Sequence, residues 1–356
     1  MQNIRKKHLP FLALVSVLCF WLAWPPYQGT PLLLVAFVPL LLIARHVTTH
    51  TYKRPLFTFL KYIYCAFFLW NFVTIWWINN STPEGGIFTL LFNAYCFSIS
   101  FLLFFWTKKN LGLYWGYLGF IVYWISMEYL HLFGSLSFPY LNLGNGLAAM
   151  PKWIQWYEYT GTFGGTFWLL AANIGIYHCF FEPIPTNRKW AYLFATTIWI
   201  IAPILTSYYI YFHYEERGEI VETVVVQPSI NPHTCRFYEN KQVATPTRRL
   251  ENCIHLSSQA LTKRTQLLVW PESAINYNFE EAALATNPLV KYMAQFRATY
   301  PQLTLLTGIP TIKKYGTQCP TTTAIRGSSG CYRDWFNSAL CLHHHGQFSL
   351  YHKIKY

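Results

Sequence analysis

Leu267-Leu268-Val269-Trp270-Pro271-Glu272 is an apolar run that halts at a proline and delivers a carboxylate. The four residues before the proline read as a buried strand, preceded by the polar stretch Thr262 to Gln266. Pro271 has no N–H to give to a ladder, so pairing stops there and Glu272 sits at the strand's C-terminal edge. In layered α/β folds that edge gathers catalytic groups, which makes Glu272 a candidate general base; the alternative is a solvated loop acid.

The neighbouring segments repeat the pattern. Val221 to Val226 is a β-branched run ending in Gln227-Pro228, and Thr247 to Thr262 carries Leu250, Ile254 and Leu261 at helical spacing. Asn287-Pro288 reads as an N-cap with proline at the first helical position, and Leu289, Met293 and Phe296 then share a face. A third strand is expected over Leu303 to Leu306, ending at Thr307-Gly308. Phe336 to Leu342 and Gln347 to Lys353 flank His343-His344-His345-Gly346 as a hairpin would. The alternation of strands and helices predicts an α/β layer over residues 212–356. Lys353 closes the last strand where strand ends converge; its alternative reading is an ordinary edge lysine.

Residues 1–211 are of another kind. The whole chain is 53% hydrophobic, 19% aromatic and only 12% charged, far from a soluble average. Seven apolar runs, Leu9–Pro25, Pro31–Ala44, Leu56–Ile78, Ile87–Trp106, Leu111–Leu130, Phe163–Phe181 and Trp190–Phe212, are near the length needed to cross a bilayer, the second being the shortest. If they alternate, Arg5, Lys6, Lys7, Arg45, Lys53, Arg54, Lys108, Lys109, Arg188 and Lys189 fall on one side, and the opposite loops hold only Lys152. Cytoplasmic loops are enriched in Lys and Arg, so the expected N-terminus is cytoplasmic and residues 212–356 lie outside the cytoplasm. The first run follows three basic residues like a signal peptide, but no small-x-small site follows it, and a retained helix is expected. Between the fifth and sixth runs, Ser135 to Thr162 is rich in aromatics and glycine. An amphipathic segment in the membrane interface is expected there, either as a floor on which Trp153, Trp156 and Glu158 are candidate substrate contacts or as a re-entrant packing segment.

Other classes are disfavoured. The net charge of +13 divides as 12 Lys and Arg against 4 Asp and Glu before residue 212, and 15 against 10 after it. The first set lies between apolar runs rather than on one polar face, so nucleic acid is not an expected partner. A transporter would carry intramembrane charges; Lys61 lies near an end, Glu128 closes the fifth run, and His178 is expected to pack. The nine cysteines form no Cys-x-x-Cys pair, and Cys19, Cys65, Cys96 and Cys179 lie in apolar runs as expected core residues. Cys319 and Cys331 are a candidate disulfide in an oxidising compartment. Three consecutive histidines project in different directions and lack further ligands, so no metal is expected.

The set Val-Val-Val-Gln-Pro, Trp-Pro-Glu-Ser-Ala, Leu-Thr-Gly-Ile-Pro, Phe-Asn-Ser-Ala and Tyr-His-Lys resembles the nitrilase superfamily. Preceded by seven runs and Leu-Asn-Leu-Gly-Asn-Gly, it resembles the apolipoprotein N-acyltransferases in particular. The resemblance implies a membrane helical bundle followed by an α/β nitrilase-like (αββα sandwich) domain, in a multi-pass protein of the bacterial inner membrane with a periplasmic C-terminal domain. It implies acyl transfer from a membrane phospholipid, through a cysteine thioester, to the α-amino group of diacylglyceryl-modified apolipoproteins, with no cofactor. By motif position Glu272 resembles the general base and Lys353 the oxyanion-stabilising cation. Where the family has a tryptophan after the first strand, the nearest equivalent here is Phe237. The family's nucleophilic cysteine belongs beyond Lys353, and none of Cys235, Cys253, Cys319, Cys331 or Cys341 stands at that place. The expectation is therefore an incomplete domain without the nucleophile and without activity as written, with an exposed sheet edge; the alternative is a non-enzymatic lipid- or lipoprotein-binding remnant.

Overall fold

The computed structural model describes residues 5–80, 83–133, 138–231, 236–237, 243–317, 321–327 and 330–353. The chain divides into two compact units, Met1–Glu216 and Arg217–Tyr356.

The first unit is helical: α1 (Leu9–Ala23), α2 (Val38–Thr49), α3 (Pro55–Ile75), α4 (Pro83–Leu111), α5 (Leu113–Leu130), α6 (Tyr157–Phe181) and α7 (Thr186–His213). Among the described residues, five stretches are long and apolar enough to cross a membrane: those of α1 to α4 and of α7. α5 and α6 cover the other two expected runs, with Tyr, Trp and Gly interspersed. Lipid gives helices no hydrophobic reason to associate, so packing and buried hydrogen bonds must hold the bundle. Fully buried rings do the first: Phe97 stacks on Trp124 at 5.1 Å, and Phe37 meets Trp124 edge-on at 4.9 Å. Trp168 and Trp199 do the second, each indole N–H donating to the other's carbonyl at 2.9 and 3.1 Å to tie α6 to α7.

The second apolar run is broken. A 3-10 turn, Thr30–Leu34, precedes α2, and buried backbone groups at this break are satisfied by Asn173 of α6. Its Oδ1 accepts the Phe37 N–H at 2.8 Å, and its Nδ2 donates to the Leu33 carbonyl at 2.7 Å. Pro31 and Pro39 explain why one continuous helix does not form. Cys65, expected in the core, is exposed on α3; Cys19 and Cys96 are half-buried and Cys179 is buried. His178 packs edge-on against Tyr192 at 4.9 Å.

At one end of the bundle the Arg45 guanidinium donates to the Phe181 carbonyl, and Lys108 lies 3.9 Å from Glu182, which joins the C-terminal ends of α2, α4 and α6.

The second unit is a mixed sheet with helices. Its strands are β1 (Glu222–Val225), β4 (Thr265–Val269), β5 (Phe279–Glu280), β6 (Thr304–Lys314), β7 (Ile325–Arg326), β8 (Tyr332–Leu342) and β9 (Phe348–His352), and β2 (Ile230–Asn231) with β3 (Arg236–Phe237) forms a separate two-stranded ladder. The order is β1-β4-β6-β8, parallel from β1 to β6 and antiparallel from β6 through β8 to β9. α8 (Pro246–Ala260) starts at the Thr245 cap, and α9 (Pro288–Ala298) at Asn287, whose side chain accepts the Leu289 N–H at 2.9 Å. The core gathers Leu250, Leu268, Met293, Leu305 and Leu340.

β6 runs on past its expected end at Thr307-Gly308 to Lys314. Its early part pairs with β4 and its late part with β5, while Pro310 falls between the two partners, where the lacking N–H leaves no ladder bond unmade. The histidine turn closes a hairpin, with Gly346 at φ 89°.

Candidate active site

Glu272 follows β4 by way of Pro271, as its motif predicts, and three elements define its surroundings. The Pro271 carbonyl accepts the Gly308 N–H at 3.3 Å, which pins the turn to β6. Gly308 allows this approach: a Cβ there would lie 2.6 Å from the Glu272 Cα. Ser273 then takes a left-handed backbone, φ 52°, to turn the chain away.

Two side chains reach the carboxylate. The Asn337 amide of β8 donates to Glu272 Oε1, and the Lys353 ammonium, one residue past β9, lies 3.7 Å from the same oxygen. Asn337 also holds Lys353 directly, its carbonyl accepting the Lys353 N–H at 2.8 Å. The ion pair is open to solvent, Lys353 at 67% and Glu272 at 63% exposure. Both residues singled out from sequence are thus neighbours. Asn337 was legible only as part of a motif, because a residue 65 positions from Glu272 in sequence announces no contact by spacing.

Alternation along β8 and β9 puts a second polar group on the opposite face. There His352 Nε2 lies 2.7 Å from Glu281 Oε1, Thr311 donates to the same oxygen at 3.1 Å and shares a 2.7 Å hydrogen bond with Ser338, and the Phe336 ring stacks on His352 at 4.0 Å. Sequence reading missed Glu281, whose only signal was its place in an acidic pair after Phe279.

The cysteines of this unit stand elsewhere. Burial pushes the Cys253 thiol up to about 12, which leaves it inert, and Cys341 is raised in the same way. Among the described residues no cysteine is a partner of Glu272 or Lys353. Cys235 and Cys319, and with Cys319 the expected pairing to Cys331, lie outside the described residues. The backbone of Phe237 lies in β3, opposite Ile230, in the ladder apart from the main sheet.

The remaining expected contacts belong to the helical unit. Trp153 and Trp156 are half-buried, the Trp156 indole donating to the Trp153 carbonyl at 2.9 Å, and Glu158 is exposed. The stretch around them, expected as an amphipathic interfacial segment or a re-entrant packing segment, packs into the helical unit. It is a series of 3-10 turns, Pro139–Leu141, Leu143–Leu147 and Pro151–Trp153, with Leu141, Leu143 and Leu147 buried in the bundle core. Glu128 holds it there. Fully buried, its carboxylate accepts the Leu143 N–H at 2.7 Å, the Trp124 indole N–H at 2.9 Å and the Thr166 hydroxyl at 2.7 Å.

Residues 16–175 match the family model for the apolipoprotein N-acyltransferase N-terminal domain. Apolipoprotein N-acyltransferase of Chlorobaculum tepidum is 26% identical over 273 residues, 75% of this chain and 49% of that protein. The chain is thus similar to apolipoprotein N-acyltransferases. Apolipoprotein N-acyltransferase of Rhodopirellula baltica is 25% identical over 170 residues, 44% of this chain and 28% of that protein. The chain thus matches about half the length of the first apolipoprotein N-acyltransferase and less of the second.

Proposed function

We propose that the protein acts in N-acylation of lipoproteins, with Glu272 as general base and Lys353 as the cation that stabilises the oxyanion. The observation that carries this reading is the convergence of Glu272, Asn337 and Lys353 from the ends or interiors of three strands. A carboxylate beside a nucleophile takes up its proton, and an ammonium beside the reacting carbonyl offsets the charge of the tetrahedral intermediate. In the first step a cysteine thiolate attacks the ester carbonyl of a phospholipid, the C–O bond breaks, and the lysophospholipid leaves with the proton that Glu272 held. In the second, the α-amino group of a diacylglyceryl-cysteine attacks the thioester, a C–N bond forms as the C–S bond breaks, and the amine's proton passes through Glu272 to the departing cysteine sulfur, which leaves the amide product and the free thiol. The nucleophile is assigned to none of the described cysteines.

An amphiphilic donor suits a site on a domain attached to membrane helices. In this reading the protein crosses the bacterial inner membrane seven times, its N-terminus is cytoplasmic, its sheet unit is nitrilase-like and periplasmic, and Trp153, Trp156, Glu158 and Phe237 contact substrate. A second reading, binding of lipid or lipoprotein without turnover, is favoured by the lack of a cysteine among the described partners of Glu272. One experiment separates them: the protein purified from its native membrane is incubated with phospholipid labelled in the acyl chain. A hydroxylamine-labile label on cysteine, lost in Glu272→Gln, is the acyl-transfer outcome. Saturable binding of a diacylglyceryl lipopeptide with no adduct is the binding outcome and overturns the first reading.

A further inference from the structure

The end of the bundle where α1 begins, α2 ends and α3 begins encloses an open cleft of about 910 Å³. Arg5, Lys6, Lys53 and Arg54 line it, and no acidic residue does. Among the described residues none of these four cations is in an ion pair. Like charges gathered round one cleft repel, and an anion that enters relieves them all together.

The walls are built rather than incidental. His46 is buried, its Nε2 within 3.0 Å of the Tyr52 hydroxyl, and its ring stacks on that of His50 at 4.0 Å. Thr58 adds a hydroxyl from the first turn of α3, a 21-residue helix whose N-terminal N–H groups and dipole favour negative charge at the same place.

What adjoins the cleft decides the kind of anion. Phe57, next to Thr58, is 65% exposed, and Phe11 and Leu14 of α1 are exposed as well. A basic cleft continuous with outward-facing apolar side chains fits a ligand that is anionic at one end and apolar at the other. We propose that this cleft binds the phosphate headgroup of an anionic phospholipid, with the acyl chains along the outer faces of α1 and α3. Basic pockets between membrane helices hold such headgroups in general. The site lies at the opposite end of α1 to α3 from the 3-10 turns that Glu128 secures, so it is separate from any donor lipid that approaches those turns.

Loose attraction between basic loops and lipid is the competing account, and the chain supplies its own control. Arg188 and Lys189 open α7 with the same charge but do not line the cleft. Full-length protein is reconstituted in phosphatidylcholine vesicles carrying trace spin-labelled phosphatidylglycerol or phosphatidylcholine, and the motionally restricted fraction of each label is measured. The expected result is at least a threefold preference for phosphatidylglycerol in the wild type, lost in K53Q/R54Q and kept in R188Q/K189Q and in the charge-preserving K53R/R54K. No preference in the wild type, or equal loss in the two charge-removing pairs, overturns the proposal. So does full displacement by millimolar inorganic phosphate at matched ionic strength, which would make the occupant a soluble anion.

Discussion

Glu272 and Lys353 stand more than half exposed, so their attraction is screened and adds little to folding. Glu272→Gln is therefore expected to change stability by less than about 1 kcal/mol, while acyl-adduct formation falls by about 10²-fold or more; thermal melting and adduct labelling read the two separately. Gly308→Ala acts on the same carboxylate from behind. Its new methyl meets the Glu272 backbone at 2.6 Å, and displacing that turn is expected to cost about 1–3 kcal/mol as well as the adduct. Glu272, Lys353 and the motif containing Gly308 were legible because each stands where an expected strand stops. Asn337 was legible only within its Phe-Asn-Ser-Ala motif and Glu281 not at all, since their partners are brought close only by the fold. Glu128 was visible as a lone acid at a helix end, but its three donors come from Trp124, Leu143 and Thr166, and no periodicity encodes that convergence.

At the scale of elements, two carboxyls of the sheet are held in their charged form by hydrogen bonds. Hydrogen bonds from Thr262 and Thr265 to Glu222 of β1, aided by Arg264, hold that carboxyl below its ordinary range, and a hydrogen bond from Thr321, with Tyr315 also donating, does so for Asp334 of β8. A carboxyl whose folded pKa is depressed stabilises the fold above its unfolded pKa, and this contribution is lost as pH falls through the folded value. Melting of the sheet unit is thus expected to be flat near neutrality and to drop from roughly pH 4 downward, with a shallower acid slope in Asp334→Asn. The strands themselves were readable from β-branched runs and turn residues, and α9 from its Asn-Pro cap. The length of β6 was not, because Thr307-Gly308 reads as an end, and only the pairing with β5 and β8 shows that the strand runs on through Pro310. The break before α2 escaped for a similar reason: apolar composition fixes where a segment goes, not whether its backbone is continuous.

For the whole molecule, the join between the units is a segment without helix or strand, Tyr214 to Val221, in which Tyr214 is 71% and Ile220 97% exposed. Limited proteolysis is expected to cut there first, leaving the helical fragment in the membrane fraction and releasing a fragment recognised by antibody to the sheet unit. Earlier cleavage inside either unit would contradict the division. Within the helical unit, Asn173→Leu removes the only described side-chain partners of the Phe37 N–H and the Leu33 carbonyl, and is expected to lower its stability by about 2–5 kcal/mol, read by unfolding in detergent.

That asparagine also imposes an order on biogenesis. Phe37 and Leu33 precede it by 136 and 140 residues, so the ribosome has released the interrupted segment long before its partner is made. Until α6 arrives, those backbone groups lack the partner they have in the folded chain. The first hairpin therefore enters the bilayer as a provisional structure, and its final seating waits on the sixth helix.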